Sequence, residues 1–180
     1  MKNFKMILMA VFALLVTVGC SGNNENKGGT NTNENITARE ILDAIQEKMA
    51  EAYGITVDEN VLAGYHIMDL NSQEETQFFF LAEHFNLEDI KEGYVLEPMM
   101  SMVRSELVIV VEANTPEAAA NVAASMAEIR SSQEATWSTY LPDQYEFVRN
   151  NKIITHGNFV LYVTSEHVDA IVEAFEAQVR

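Results

Sequence analysis
Glu106-Leu-Val-Ile-Val-Val-Glu112 places five large apolar residues in a row between two acids. Four of the five are β-branched, which suits a pleated strand and disfavours a helix. A half-exposed strand would alternate apolar with polar, so an unbroken run predicts a strand central in its sheet. Whatever else this chain folds into must surround that strand.

The neighbouring segments supply the surroundings. Tyr94-Val-Leu-Glu-Pro-Met-Met100 reads as the preceding strand, and Pro98, lacking a ladder donor, predicts that it is an edge strand or bulged. Thr115-Pro116-Glu117 is a helix start: an N-cap, a proline at N1 and an acid on the positive dipole end. Ala119, Val122, Ala123, Met126, Ile129 and Gln133 follow on one face, with a continuation to Trp137 and Tyr140, until Leu141-Pro142-Asp143 ends the helix. Lys152–His156 and Phe159–Thr164 flank Gly157-Asn158, a type II′ hairpin signal. Ser165 then caps a last helix striped by Val168, Ile171, Val172, Phe175 and Val179.

Upstream, Thr37-Ala-Arg-Glu40 is a capping box for a helix over about 38–52, carried by Ile41, Leu42, Ile45 and Met49 and ended by Gly54. Residues 53–73 hold short apolar pieces, Val61-Leu62 and Ile67-Met68, that fit strand or loop. Ser72-x-x-Glu75 is a second capping box before the aromatic run Phe78–Phe85, which is read as a helix with a strand as the alternative. Asn86 caps a short helical piece, Leu87–Glu92, that Gly93 terminates. The expected architecture is a single α+β domain over 37–180, with a mostly antiparallel sheet of about four strands covered by helices.

The first 36 residues are of another kind. Lys2 and Lys5 precede an apolar run, Met6–Val18, broken only by Thr17. It is short for a permanent membrane helix, which needs about 20 apolar residues, and suits the core of a secretory signal peptide over 1–19. Its ending, Thr17-Val18-Gly19-Cys20, resembles the lipobox of bacterial lipoproteins, with Thr17 standing where leucine is usual. That resemblance implies a diacylated Cys20, the sole cysteine in the chain, and an extracytoplasmic, lipid-anchored protein. Two acyl chains anchor stably where one does not. The following Ser21–Asn35 contains no apolar residue, so it cannot offset its ordering entropy and reads as a flexible linker completing segment 20–36. Its root-mean-square span as a coil is on the order of 20 Å.

Composition excludes some functions. Loss of residues 1–19 would remove Lys2 and Lys5 but no acid, leaving nine basic residues against 27 acidic ones and a net charge of about −18. That opposes nucleic-acid binding and electrostatic adhesion to anionic lipid. His66, His84, His156 and His167 form no zinc spacing, and Asp58-Glu-Asn60 begins like a calcium loop but continues with Leu62 and Ala63. Neither a GxSxG elbow nor a Walker or dinucleotide glycine pattern occurs. Glu74-Glu75 and Glu88-Asp89 are adjacent carboxylates that would not face one another on a helix. No metal, cofactor or catalytic residue is therefore expected. Trp137, Tyr140 and Tyr145 are the candidate interaction patch, since Trp and Tyr anchor interfaces; the competing use of Tyr140 and Tyr145 is to cap the core.

Phe85-Asn-Leu-Glu-Asp-Ile90, Ser105-Glu-Leu-Val-Ile-Val110, Tyr140-Leu-Pro-Asp-Gln-Tyr145 and Gly157-Asn-Phe-Val160 resemble a family of bacterial lipoproteins known as domain of unknown function 4358. The resemblance spans about Phe85 to Phe175 and implies a Gram-positive envelope setting but no activity. The leading expectation is a non-enzymatic envelope lipoprotein binding a protein or small-ligand partner; a small envelope hydrolase is the alternative. A two-lobed solute receptor needs a longer chain. Replacing Cys20 by serine should abolish palmitate labelling and release the protein from the membrane fraction; retention there would refute the anchor.

Overall fold
In the computed structural model residues 36–77 and 80–180 are described. Cys20 and the 21–35 linker lie outside them, as do Phe78 and Phe79. The elements run α1 (Ala38–Tyr53), β1 (Val57–Asp58), β2 (Val61–Leu62), β3 (Tyr65–Asp69), α2 (Gln73–Thr76), two 3-10 turns (Phe80–His84 and Leu87–Asp89), and β4 (Ile90–Pro98). They continue with β5 (Leu107–Ala113), α3 (Pro116–Tyr140), α4 (Pro142–Arg149), β6 (Lys152–His156), β7 (Phe159–Thr164) and α5 (Val168–Val179). Five strands form one fully antiparallel sheet in the order β3-β4-β5-β7-β6, and β1-β2 is a separate ribbon. The fold is a single α+β domain whose sheet has one strand more than expected.

The apolar run is the middle strand, and every residue of β5 is buried. Its alternation feeds two cores. Leu107, Ile109, Val111 and Ala113 face α3, together with Val95, Val160, Tyr162 and the α3 stripe Ala119, Val122, Met126 and Ile129. Val108 and Val110 face the other way, with Leu96, Leu161 and Val163, against Ile41, Leu42 and Ile45 of α1 and Ile171 and Phe175 of α5. Helices cover both faces, which explains why β5 and β7 are buried throughout and carry unbroken apolar runs rather than alternating.

Local signals account for most boundaries. The Thr37 capping box closes, Thr37 Oγ1 accepting from Glu40 N at 3.2 Å and Glu40 Oε2 from Thr37 N at 2.9 Å. Gly54 ends α1 in the left-handed region at φ 67°. Gly157 has a positive φ and Asn158 does not, the type II′ pattern that joins β6 to β7. The would-be calcium loop is the turn of the β1-β2 ribbon, with Glu59 and Asn60 both at positive φ as a type I′ turn requires.

Other expectations are corrected. β4 is interior, between β3 and β5, although it contains Pro98. The β4-β5 ladder stops at Leu96↔Val108, so Pro98 lies past β5 and pairs only with Tyr65; the one register shift is at the far end, between Ile90 and Glu92. Gly93 does not end a helix. It lies in β4 with Leu70, Ile90 and Val111 side-chain carbons 3.1, 3.2 and 3.3 Å from where a Cβ would stand, so close packing is what favours glycine there. The aromatic run supplies a 3-10 turn instead of a regular helix. Ser72 still caps α2, but Glu75 Oε2 accepts from Asp69 N rather than from the cap. Beyond Leu141 the chain forms a further helix, α4, started by Pro142 at N1. Ser165 Oγ accepts from His167 N at 3.0 Å while the N-cap of α5 is His167.

The ribbon that precedes the strand at 65–69 is held by a buried amide. Gln46 on α1 is fully buried; its Oε1 accepts from Leu62 N at 2.8 Å, and its Nε2 donates to Asn60 O and Asp43 Oδ1, each at 3.2 Å. Replacing Gln46 by leucine would keep the volume but orphan the Leu62 N–H. The expected loss of unfolding free energy is about 1–3 kcal/mol, read as a lowered denaturant midpoint with an unchanged slope.

Candidate functional site: a cleft beneath the end of α3
The stripe of α3 advances by three or four residues from Ala118 to Ile129 and then meets Gln133 before resuming at Trp137. Apolar packing therefore lapses for one step, next to the place where the sheet turns polar. On β4 the α3-facing residue after buried Val95 is Glu97, paired across strands with His66 of β3. The result is a cleft of about 530 Å³ lined by Phe80, Leu81, Glu97, Ser101, Ser132, Gln133, Thr136 and Trp137. That volume is in the range of small-ligand sites, roughly 300–1,000 Å³.

Two polar groups in the cleft are fixed from behind. Glu97 Oε1 lies 3.1 Å from His66 Nε2. Burial raises the Glu97 pKa above the ordinary value, while the charge and hydrogen bond of His66 pull against that shift. Gln133 Oε1 accepts from Tyr162 OH at 3.4 Å and from Thr164 Oγ1 at 3.5 Å. Burial pushes the Tyr162 pKa up to about 12, so its hydroxyl remains a donor. With its carbonyl oxygen so engaged, the Gln133 amide group is the donor left for the cleft. Glu97 is the one charged residue among those lining it.

The aromatic trio is divided between two helices, with Trp137 and Tyr140 on α3 and Tyr145 on α4. Trp137 is buried in the cleft wall, and exposed Tyr140 has its ring centroid 5.8 Å from that of Trp137. Tyr145 is on α4, outside the lining, with the Arg149 guanidinium 6.0 Å over its ring. The same helix is tied to the segment leading into β5 by Gln144, whose Oε1 accepts from Ser105 N at 2.8 Å and whose carbonyl accepts from Ser105 Oγ at 3.0 Å. His66, Glu97 and Gln133 were not legible as site residues. The available signal was the polar residue interrupting the α3 stripe.

Several polar groups away from the cleft are engaged in structure. On the opposite face buried Glu106 takes a two-pronged contact from Arg104, at 2.8 and 3.2 Å, and Arg104 also donates to Tyr65 OH at 2.7 Å. Tyr53 OH and Ser165 Oγ are 2.8 Å apart. Burial raises the pKa of both tyrosines, which keeps them neutral. His84 contacts Glu128 at 3.2 Å, and His167 packs edge-on to Tyr53 with ring centroids 4.7 Å apart. His156 Nε2 is buried without a hydrogen-bond partner among the described residues. Glu75 and Asp89 serve as acceptors, for Asp69 N and for the Asn86 and Asn121 amides.

Residues 66–165 match the family described as domain of unknown function (DUF4358). The chain belongs to this family. The match takes in the sheet from the second residue of β3 onward, α3, α4 and the entire cleft lining; α1, the ribbon and α5 fall outside it. No curated protein and no solved structure matches the chain.

Because folding raises the Glu97 pKa, folding favours its protonated form. Its contribution to stability is present below the ordinary carboxylate value and is lost as pH rises through the raised value. Glu97→Gln removes that dependence. The variant should gain stability relative to the parent as pH rises above the ordinary carboxylate value, measured by denaturant unfolding; a pH-independent difference would contradict the assignment.

Proposed function
We propose that this protein is an extracytoplasmic lipoprotein, anchored through Cys20 and tethered by residues 21–35, whose domain is a non-enzymatic binding module. The cleft beneath the end of α3 is its ligand site. The observation that carries this reading is the interruption of the α3 stripe at Gln133, which leaves a preorganised donor and the half-buried Glu97 carboxyl beside Trp137, Leu81 and Phe80. Three apolar side chains, Phe80, Leu81 and Trp137, share the lining with five polar residues, a mixture suited to a small amphipathic ligand held by oriented polar groups. With Glu97 the one charged lining residue and a sequence net charge of −16, anionic ligands are disfavoured and neutral or cationic amphipathic ones are favoured.

A second reading, a small envelope hydrolase, draws on Glu97, because a carboxyl held above its ordinary pKa in a cleft is a general-acid feature. Glycoside hydrolysis commonly requires a second carboxylate about 5–9.5 Å away, and the cleft lining contributes none. The binding reading is therefore preferred.

Trp137 is the single tryptophan and lines the cleft, so its emission reports occupancy directly. Titrating the full chain in detergent with fractionated small molecules from a cell envelope should shift Trp137 emission with saturation. Thr136→Phe, which fills the cleft, should abolish the shift. Absence of any saturable shift would overturn the binding site, and substrate turnover lost in Glu97→Gln would establish the hydrolase instead.

A further inference from the structure
The β4-β5 connection, Met99-Met100-Ser101-Met102-Val103, carries three thioethers in four residues, and none is used for packing. Met99, Met100 and Met102 are 72, 67 and 81% exposed, whereas Met49 and Met126 are buried in the cores. Exposing three methionines gives up the free energy their burial would contribute, so the core does not account for them.

The backbone beneath them is an ordered turn. Val103 N donates to Met100 O at 3.1 Å, closing the turn, and Met99 N donates to Gly64 O at 2.9 Å, pinning its start to the β2-β3 connection. Met100 and Met102 are the first and third residues of a turn whose end Cα atoms are less than about 7 Å apart. Met99 is one residue earlier, about 3.8 Å along the chain. Methionine has three rotatable side-chain bonds, so sulfurs on a base this narrow can converge on one point. The nearby guanidinium does not compete for the site, because Arg104 is committed to Glu106 and Tyr65.

We propose that the Met99–Met102 turn is a binding site for one soft monovalent metal ion, Cu(I), held by thioether sulfurs. Thioethers are soft ligands that select Cu(I), whereas carboxylate and carbonyl oxygens suit hard cations and imidazole suits zinc. Among the described residues no group of three His, Cys, Asp or Glu is placed to hold a metal ion. Sulfur is thus the donor that this surface concentrates, and Cu(I) is the cation it suits. The site requires no residue of the cleft lining to act as a ligand, so it stands independently of the ligand reading above.

The test uses Ag(I), a redox-inert stand-in, with the full chain carrying Cys20→Ser so that no thiol binds the probe. Native mass spectrometry and calorimetry in chloride-free buffer should find one Ag(I) bound in competition with excess Zn²⁺. X-ray absorption should show a sulfur-only first shell. Combined Met99→Leu, Met100→Leu and Met102→Leu preserves the exposed apolar surface and the fold, since Leu/Met exchange is well tolerated, and should weaken binding by more than about tenfold, or ~1.4 kcal/mol. Unchanged Ag(I) affinity in the triple variant, a nitrogen or oxygen shell, or no binding by the parent would each overturn the proposal.

Discussion
Burial of β5 on both of its faces is the constraint on which the rest depends. A five-residue apolar run flanked by acids has no solvent-compatible side, so helices must cover the sheet above and below it. This divides the helices: α3 takes one face, α1 and α5 the other. It also sets which residues can be spared from packing. At the centre of the sheet none can, and β5 and β7 are buried along their whole length. At the corner where β4 and β3 outrun β5, side chains are free to be polar, and His66, Glu97 and Gln133 meet there.

The cleft follows from that geometry. α3 is 25 residues long, about 37 Å at 1.5 Å per residue, and β5 has seven residues, about 24 Å at 3.4 Å each. A helix longer than the strand it covers must overhang it, and its overhanging turns can carry Ser132, Gln133 and Thr136 without burying unsatisfied polar groups. Trp137, one turn beyond Gln133, returns the stripe to apolar packing and closes the wall. The 3-10 turn at Phe80–His84 forms the other side. A regular helix through the aromatic run would have presented Leu81 and Phe85 in a different relation; Phe85 instead joins the α3-side core while Phe80 is left 86% exposed at the cleft mouth.

Much of the fold was legible before any coordinates. The capping box at Thr37, the proline start at Pro116 and the Gly157-Asn158 hairpin each depend on hydrogen bonds or torsions within a few residues, and local chemistry decided them. Pro98 misled because its meaning depends on how far the neighbouring strand extends. Gly93 misled because its requirement is lack of space between Leu70 and Val111, residues far from it in sequence, and not a helix end. The strand at 65–69 could not be read from its own pattern, since one edge strand needs β4 to satisfy its ladder and Gln46 to position the ribbon before it.

The aromatic trio shows the same division. Trp137, Tyr140 and Tyr145 are near in sequence, yet Pro142 starts a new helix between the second and third, and only Trp137 lines the cleft. By itself the sequence determined the apolar strand, the helix caps, the hairpin and the acidic balance, because these depend on neighbouring residues or on composition. Only the tertiary structure decided that Glu97, backed by His66, and Gln133 line one cleft and that the three methionines stand exposed on one turn. The cleft depends on strand order and on the overhang of α3, which bring together residues dozens of positions apart, and the exposure of the methionines depends on where the β4-β5 connection leaves the sheet.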